Sequence, residues 1–226
     1  MFLLIMSVGH NEMCMERIVI QKTSSCYNIF MNRFVIMGLG NPGVEYEATR
    51  HNAGRIVLDA LQKRGDFTAW SVDKMLRSRV SDGIIGGVPV ILAEPETYMN
   101  DSGAAAAKLA PAPEGPARLI VIHDDLDLPI GGFKLSFDRG AASNNGVASI
   151  IAALKTKAFL RVRIGIAPVT FFGKTRIIRG EKRPAFVLST FTPREHDKII
   201  ALAKDIEQAL AIVLAEGRAR AMEKYN

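Results

Sequence analysis

The sequence predicts an α/β fold: a single domain with a mixed β-sheet flanked by helices. Three strand-like stretches carry that expectation. Phe34 to Met37 is a continuous run, long enough for a strand buried on both faces. Leu119 to Ile122 is a second buried run, and Leu160 to Ile166 is another strand. Helical patterns fall between them, and the chain closes on a long amphipathic helix.

Taken in order, the first run leads into Gly38, Gly40, Pro42 and Gly43. Glycine permits positive φ and proline fixes φ near −65°, so this is a shaped turn. Asn41, Tyr46, His51 and Asn52 cluster after it. A buried strand, a tight turn and hydrogen-bonding side chains at a helix start are how α/β enzymes place a site. Thr49 to Lys63 then reads as a helix, with Ile56, Val57, Ala60 and Leu61 on one side and Gly65 as its stop. Arg77 to Val80 and Val88 to Leu92 are strand-like, and Gly86-Gly87 makes a hairpin between them. A small-residue helix, Gly103 to Leu109, ends at Pro111. The strand Leu119 to Ile122 stops at His123-Asp124, and Phe133 to Phe137 alternates like another strand. Val147 to Leu154 is helical, and Val169 to Pro184 is a long basic loop. The last helix opens with a capping box, Thr192 to Glu195, with Pro193 at its first position, and Gly217 closes it.

The first turn contains the spacing G-x-G-x-x-G, which raises a dinucleotide site. The chemistry does not fit. Pro42 removes one of the N–H groups that would face a pyrophosphate. The helix is delayed to about Thr49, and the acidic residue at the expected distance, Asp59, falls mid-helix.

Composition narrows the classes further. Hydrophobic residues make up 48% of the 226 and charged residues 23%, enough apolar material for a substantial core. No apolar run approaches the ~20 residues of a membrane helix. The cysteines are Cys14 and Cys26, both before the first buried strand. A cysteine nucleophile, a disulfide framework and a thiolate zinc site are thereby excluded from the body, and a cytoplasmic protein is expected. The net charge is +6, concentrated between Lys155 and Arg183, where nine Lys/Arg face one acid, Glu181. Such a block is the footprint of a polyanion partner. Residues 1–33 differ in composition from the rest and are expected to be a non-catalytic extension, with Met31 as the true start and residues 34–226 as the domain.

Candidate chemistry follows from residue types. His51 sits in the first turn of its helix, where the dipole disfavours imidazolium and is expected to lower its pKa. Asp124 stands at the end of a buried strand and can orient the imidazole and stabilise its cation. There is no G-x-S-x-G elbow, so the expected reaction is direct attack by water with His51 as general base. His51 and His123 lack metal-ligand spacing, so neither a metal nor a cofactor is expected. Asn41, Asn100 and Asn145 lie in three separate turns and, brought together, can hold amide and ester groups without adding charge.

The stretch GLGNPGVEYEATRHNAG, from Gly38 to Gly54, resembles the opening signature of bacterial-type peptidyl-tRNA hydrolases. The resemblance continues through ETYMNDSG, IHDDLDLPIG, NNG, RVRIGI and FVLSTFTPRE, in one order from Phe34 to the C-terminus. It implies cleavage of the ester between a peptide and the 3′-terminal ribose of tRNA, by a monomer, with peptidyl-tRNA as the partner and no membrane. It implies that Asn41 separates N-blocked from free aminoacyl groups, that Asn100 and Asn145 bind substrate, and that Tyr46 and Tyr98 contact the tRNA end. Arg163, in RVRIGI, matches an arginine that clamps the terminal phosphate of the acceptor stem. In an alternating strand Arg161 points to the same face, and the two would form a cationic platform. One loop departs from the family pattern. RGAASNNG places Arg139, Ala142 and Ser143 where glycines are usual and Asn144 where a histidine is usual. The rival expectation is a catalytically inactive RNA-binding relative of the same fold, like the similar chloroplast intron-splicing factors.

Overall fold

The structure is a computed structural model that describes residues 33–111, 113–170, 175–176 and 178–226. Apart from Arg33, the expected extension lies outside the described residues, as does Lys174 of the basic block. Within the described residues one sheet contains β1 (Phe34–Gly38), β2 (Asp66–Phe67), β3 (Ser71–Asp73), β4 (Ser78–Ile85), β5 (Val88–Pro95), β6 (Leu119–Pro129), β7 (Phe133–Phe137) and β8 (Leu160–Ala167). Their order across the sheet is β2-β4-β5-β1-β6-β8-β7, with β3 also on β4. β1 pairs in parallel with β5 and β6, and β6 with β8, while the outer pairings are antiparallel. The sheet is therefore mixed. The helices are α1 (Ala53–Arg64), α2 (Ser102–Leu109), α3 (Asn145–Leu154), α4 (Lys182–Val187), α5 (Pro193–Glu216) and α6 (Arg218–Tyr225).

The central strands are apolar because both of their faces are covered. Ile36, Leu92, Ile120, Ile122 and Val162 share one cluster with Val57 and Leu61 of α1 and Ile199, Ile206 and Leu210 of α5. The alternating residues Val35, Met37, Ile91 and Val121 point to the opposite face and are buried too. Each such side chain contributes roughly 1.5–3 kcal/mol by leaving water. The α5 capping box is formed: Thr192 accepts from the Glu195 N–H and Glu195 accepts from the Thr192 N–H. Gly217, at φ 90°, ends α5 as expected.

Topology locates the site. The parallel strands lie β5-β1-β6-β8 across the sheet, so the chain moves to one side of β1 and then crosses to the other. That reversal opens a crevice beyond the carboxyl ends of β1 and β6. β1 stops at Gly38 opposite Ile122, which leaves His123 and Asp124 projecting past it. Gly54 brings the first turn of α1 against this edge, since a Cβ there would collide with the Ile122 carbonyl and the Leu39 backbone.

Several elements differ from expectation. β6 does not stop at Asp124 but runs on to Pro129, with a register shift against β8 after Asp125. The helix expected from Thr49 begins as a 3-10 turn at Arg50–Asn52, and only then becomes α1. α4 occupies the end of the expected basic loop, and α6 follows Gly217. α6 buries Ala221, and polar residues dominate the rest, so no apolar stripe announces it. It is held by Arg218 over the Phe137 ring and by Tyr225 against Phe133.

Glu94 on β5 is fully buried between two arginines. Its Oε2 accepts from Arg79 Nε at 2.6 Å and lies 3.2 Å from Arg55 Nη2. Arg55 also donates to the Pro95 carbonyl, tying α1 to the loop that carries Asn100. Burial pushes the Glu94 carboxyl up to about 7, against the pull of Arg55 and Arg79. A carboxyl raised on folding favours the native state while protonated. That contribution is whole below about 4.5 and is lost as pH rises through about 7. Glu94→Gln should remove this pH-dependent part of the melting temperature between those limits. A difference curve that stays flat, wild type minus variant, would mean Glu94 does not titrate there.

Candidate active site

The crevice at β1 and β6 is a cleft of about 350 Å³. It is lined by Asn41, His51, Asn100, Asp124 and Asn145, with Arg183 of α4 also on its wall. The glycine turn, two 3-10 turns, the start of α3 and β6 thus bring together five of the residues singled out from sequence. Tyr46 and Tyr98 are not in that lining. Their rings pair edge-to-face at 6.4 Å, with Tyr98 60% exposed.

His51 Nδ1 lies 3.0 Å from Asp124 Oδ1. A carboxylate only accepts, so Nδ1 carries the proton and Nε2 keeps its lone pair. Burial pulls the His51 pKa down, but the charge and hydrogen bond of Asp124 outweigh it, and the net position is above the ordinary 6.5. The lowering expected from the helix start is therefore reversed. The ring stands on the 3-10 turn ahead of α1, and the nearest full charge decides.

His51 is held from behind by its neighbour. The Arg50 guanidinium pairs with Glu195 at 2.7 Å, donates to Ser189 Oγ at 3.2 Å, and contacts the rings of Phe186 and Phe191. It locks the histidine turn to the junction of α4 and α5. Sequence reasoning missed this role, because every partner lies far along the chain.

Asn41 is fixed at three points. Its N–H donates to Asn52 Oδ1 at 2.8 Å, and its carbonyl accepts from Asn52 Nδ2 at 2.9 Å. Its Oδ1 accepts from the Met99 N–H at 2.8 Å. A backbone N–H fixes which end is oxygen, so the Asn41 Nδ2 donor is the end left for the cleft.

The departing loop is ordered around Asn144, which caps α3 and also donates to Asp124 Oδ1 at 2.7 Å. Ala142 has φ 53°, the left-handed region, at a position where a glycine is usual. A methyl there costs on the order of 1–2 kcal/mol.

A neighbouring recess of about 390 Å³ is lined by Lys134, Arg139, Arg161 and Arg163 together with Asp125. It shares His123, Asp125, Ala141 and Ala142 with the first cleft. Arg161 and Arg163 both line it, but not as an open platform. Arg161 is buried and donates to the Gly140 carbonyl at 2.8 Å, and burial first, then Arg163, lowers its pKa. Arg163 Nε donates to Asp125 Oδ2 at 2.6 Å.

The sequence model of the peptidyl-tRNA hydrolase family matches residues 35–226. The chain is a member of the peptidyl-tRNA hydrolase family. It is 40% identical over 195 residues to the peptidyl-tRNA hydrolase of Koribacter versatilis, covering 85% of this chain and 92% of that one. It is 38% identical over 194 residues to that of Mycobacterium tuberculosis, covering 85% and 96%. The crystal structure of the Acinetobacter baumannii peptidyl-tRNA hydrolase superposes with a TM-score of 0.73 at 28% identity, covering 87% of this chain and 95% of that one. The chain is thus a hydrolase of this family, with its mixed sheet and flanking helices. Among the described residues no helix is long and apolar enough to cross a membrane.

Proposed function

We propose that this chain hydrolyses the ester between the peptide and the 3′-terminal ribose of peptidyl-tRNA, returning free tRNA. The observation that carries the proposal is the 3.0 Å contact of His51 Nδ1 with Asp124, at a cleft also lined by Asn41, Asn100 and Asn145. His51 Nε2 takes a proton from water as the water attacks the ester carbonyl. Asn41 Nδ2 is the donor oriented to receive the developing oxyanion. Asp124 balances the imidazolium, which then returns the proton to the departing ribose oxygen. Asn100 and Asn145 bind the peptide and ester amides from the cleft wall. The exposed Tyr98 and the half-buried Tyr46 offer ring surface to the tRNA end. The same reading has the protein act as a monomer in the cytoplasm, on peptidyl-tRNA alone, without metal or cofactor.

Incubation with an N-acetylated aminoacyl-tRNA tests the proposal. Release of deacylated tRNA at a rate well above the buffer blank is expected. Tight tRNA binding with no release would instead make the protein an RNA-binding relative.

Arg163 supplies a second measurement. The cationic recess beside the cleft suits the acceptor-stem phosphate, and a phosphate there would compete with Asp125 for Arg163. Each lost phosphate contact reduces the salt slope of log binding by roughly 0.7–0.9. Arg163→Ala should therefore raise KM for full-length substrate and flatten its salt dependence, and should leave a minimal substrate lacking the stem unaffected. An equal fall in kcat on both substrates would place Arg163 in the support of Asp125 and the cleft.

A further inference from the structure

We infer that Asn144 is a positioning residue that sets the basicity of His51 by hydrogen bonding to Asp124. Its consequence for turnover rests on the function proposed above, whereas its consequence for the titration of His51 does not.

The geometry permits one orientation. Asn144 Oδ1 accepts from the Val147 N–H at 3.1 Å and so caps α3. Because that N–H can only donate, the carboxamide cannot be turned around, and Nδ2 must face β6. There it donates to Asp124 Oδ1 at 2.7 Å, with the Asp124 carbonyl at 3.4 Å. The same Oδ1 accepts from His51 Nδ1 at 3.0 Å. One oxygen thus serves two donors, one from the histidine turn and one from the N-cap of α3. Asn144 is 8% exposed and both ends of its carboxamide are engaged within the protein. Although it lines the cleft, it acts through Asp124.

The chemistry of a shared acceptor gives the effect its sign. A second hydrogen bond to Oδ1 spreads the negative charge of Asp124, so the carboxylate holds the His51 cation less tightly than it would alone. A base is most useful when its conjugate acid titrates near the working pH. Asn144 keeps His51 nearer that range, and keeps Oδ1 aimed at Nδ1. A carboxamide does not titrate, so the restraint is the same at every pH. The other charged or titratable groups around His51 are His123 and Asp125 from β6, Arg183 from α4, Arg50 on its own turn and Arg55 on α1. Arg50 and Arg55 are taken up by Glu195 and by Glu94 with Glu96.

Helix capping and positioning are separated by two variants. Ser and Asp cap helices about as well as Asn. Asn144→Ser keeps the acceptor for Val147 but is too short to reach Asp124. Asn144→Asp keeps the acceptor and turns the donor into a like charge. The full chain and both variants are titrated by NMR on the His51 Cε1–H, and kcat and KM are measured across pH on N-acetylated aminoacyl-tRNA. The His51 midpoint should rise by about half a unit in Asn144→Ser and by about one unit or more in Asn144→Asp. The acid limb of kcat should follow it, with KM within about twofold of wild type. Identical His51 midpoints in the three proteins would overturn the inference and leave Asn144 as a helix cap. Should one variant fail to fold, the other still decides. A wild-type protein that releases no tRNA would end the proposed function, while the NMR midpoints would still judge Asn144.

Discussion

His51→Ala is expected to lower kcat for tRNA release by roughly 10²–10⁴-fold, the usual worth of a general base. Binding of deacylated tRNA should stay close to wild type, because the histidine meets the reacting water and not the acceptor stem. The loss is one of chemistry, so kcat and kcat/KM should fall together. The same residue has a stability signature of known sign. Its folded pKa lies above 6.5, so the pair with Asp124 stabilises the fold fully below the unfolded value and ceases to as pH rises through the folded value. Relative to wild type, His51→Ala should lose more stability at mildly acid pH than at alkaline pH. Rapid single-turnover release by the variant would remove His51 from the mechanism. Unchanged turnover with weakened tRNA binding would reassign it to recognition.

Much of the scaffold was legible because it obeys local rules. The buried strand Phe34–Met37, the glycine turn, the Gly86-Gly87 hairpin and the Thr192–Glu195 capping box each carry their own signal, and each is formed. What was not legible depends on distance or competition. His51 and Asp124 are 73 residues apart, and only the crossing of the chain from β5 to β6 makes them neighbours. The polar run His123-Asp124-Asp125 reads as the end of a strand. It continues as β6 because β8 supplies the backbone pairing and Arg163 neutralises Asp125. The direction of the His51 pKa shift escapes the sequence for the same reason. A helix-end field is visible in sequence, whereas a carboxylate brought from another strand is not. Asn144 is the sharpest case. In sequence an Asn before a helix signifies a cap, and it is one, but its other end carries a contact that the capping pattern does not reveal.

Asp124→Asn separates orientation from charge, and its expected loss in kcat is again on the order of 10²–10⁴-fold. An amide oxygen in place of Oδ1 can still accept from His51 and from Asn144, so the cleft should remain assembled and, at alkaline pH where His51 is neutral, the melting temperature nearly unchanged. The negative charge is gone. Burial, which already pulls the His51 pKa down, then acts without its counterweight, and the acid limb of kcat should move to lower pH. The imidazolium formed as water attacks has no counter-ion, so the plateau falls although more of the histidine is neutral. A lower plateau with an acid limb displaced downward is a signature that a merely structural aspartate would not produce. Loss of activity, tRNA binding and melting temperature together, with the limb unmoved, would reduce Asp124 to a packing role. The direction also opposes that expected for Asn144→Asp, where added charge moves the limb upward. Both variants alter the charge that faces one imidazole nitrogen, so they must displace the same titration in opposite senses if His51 is the base.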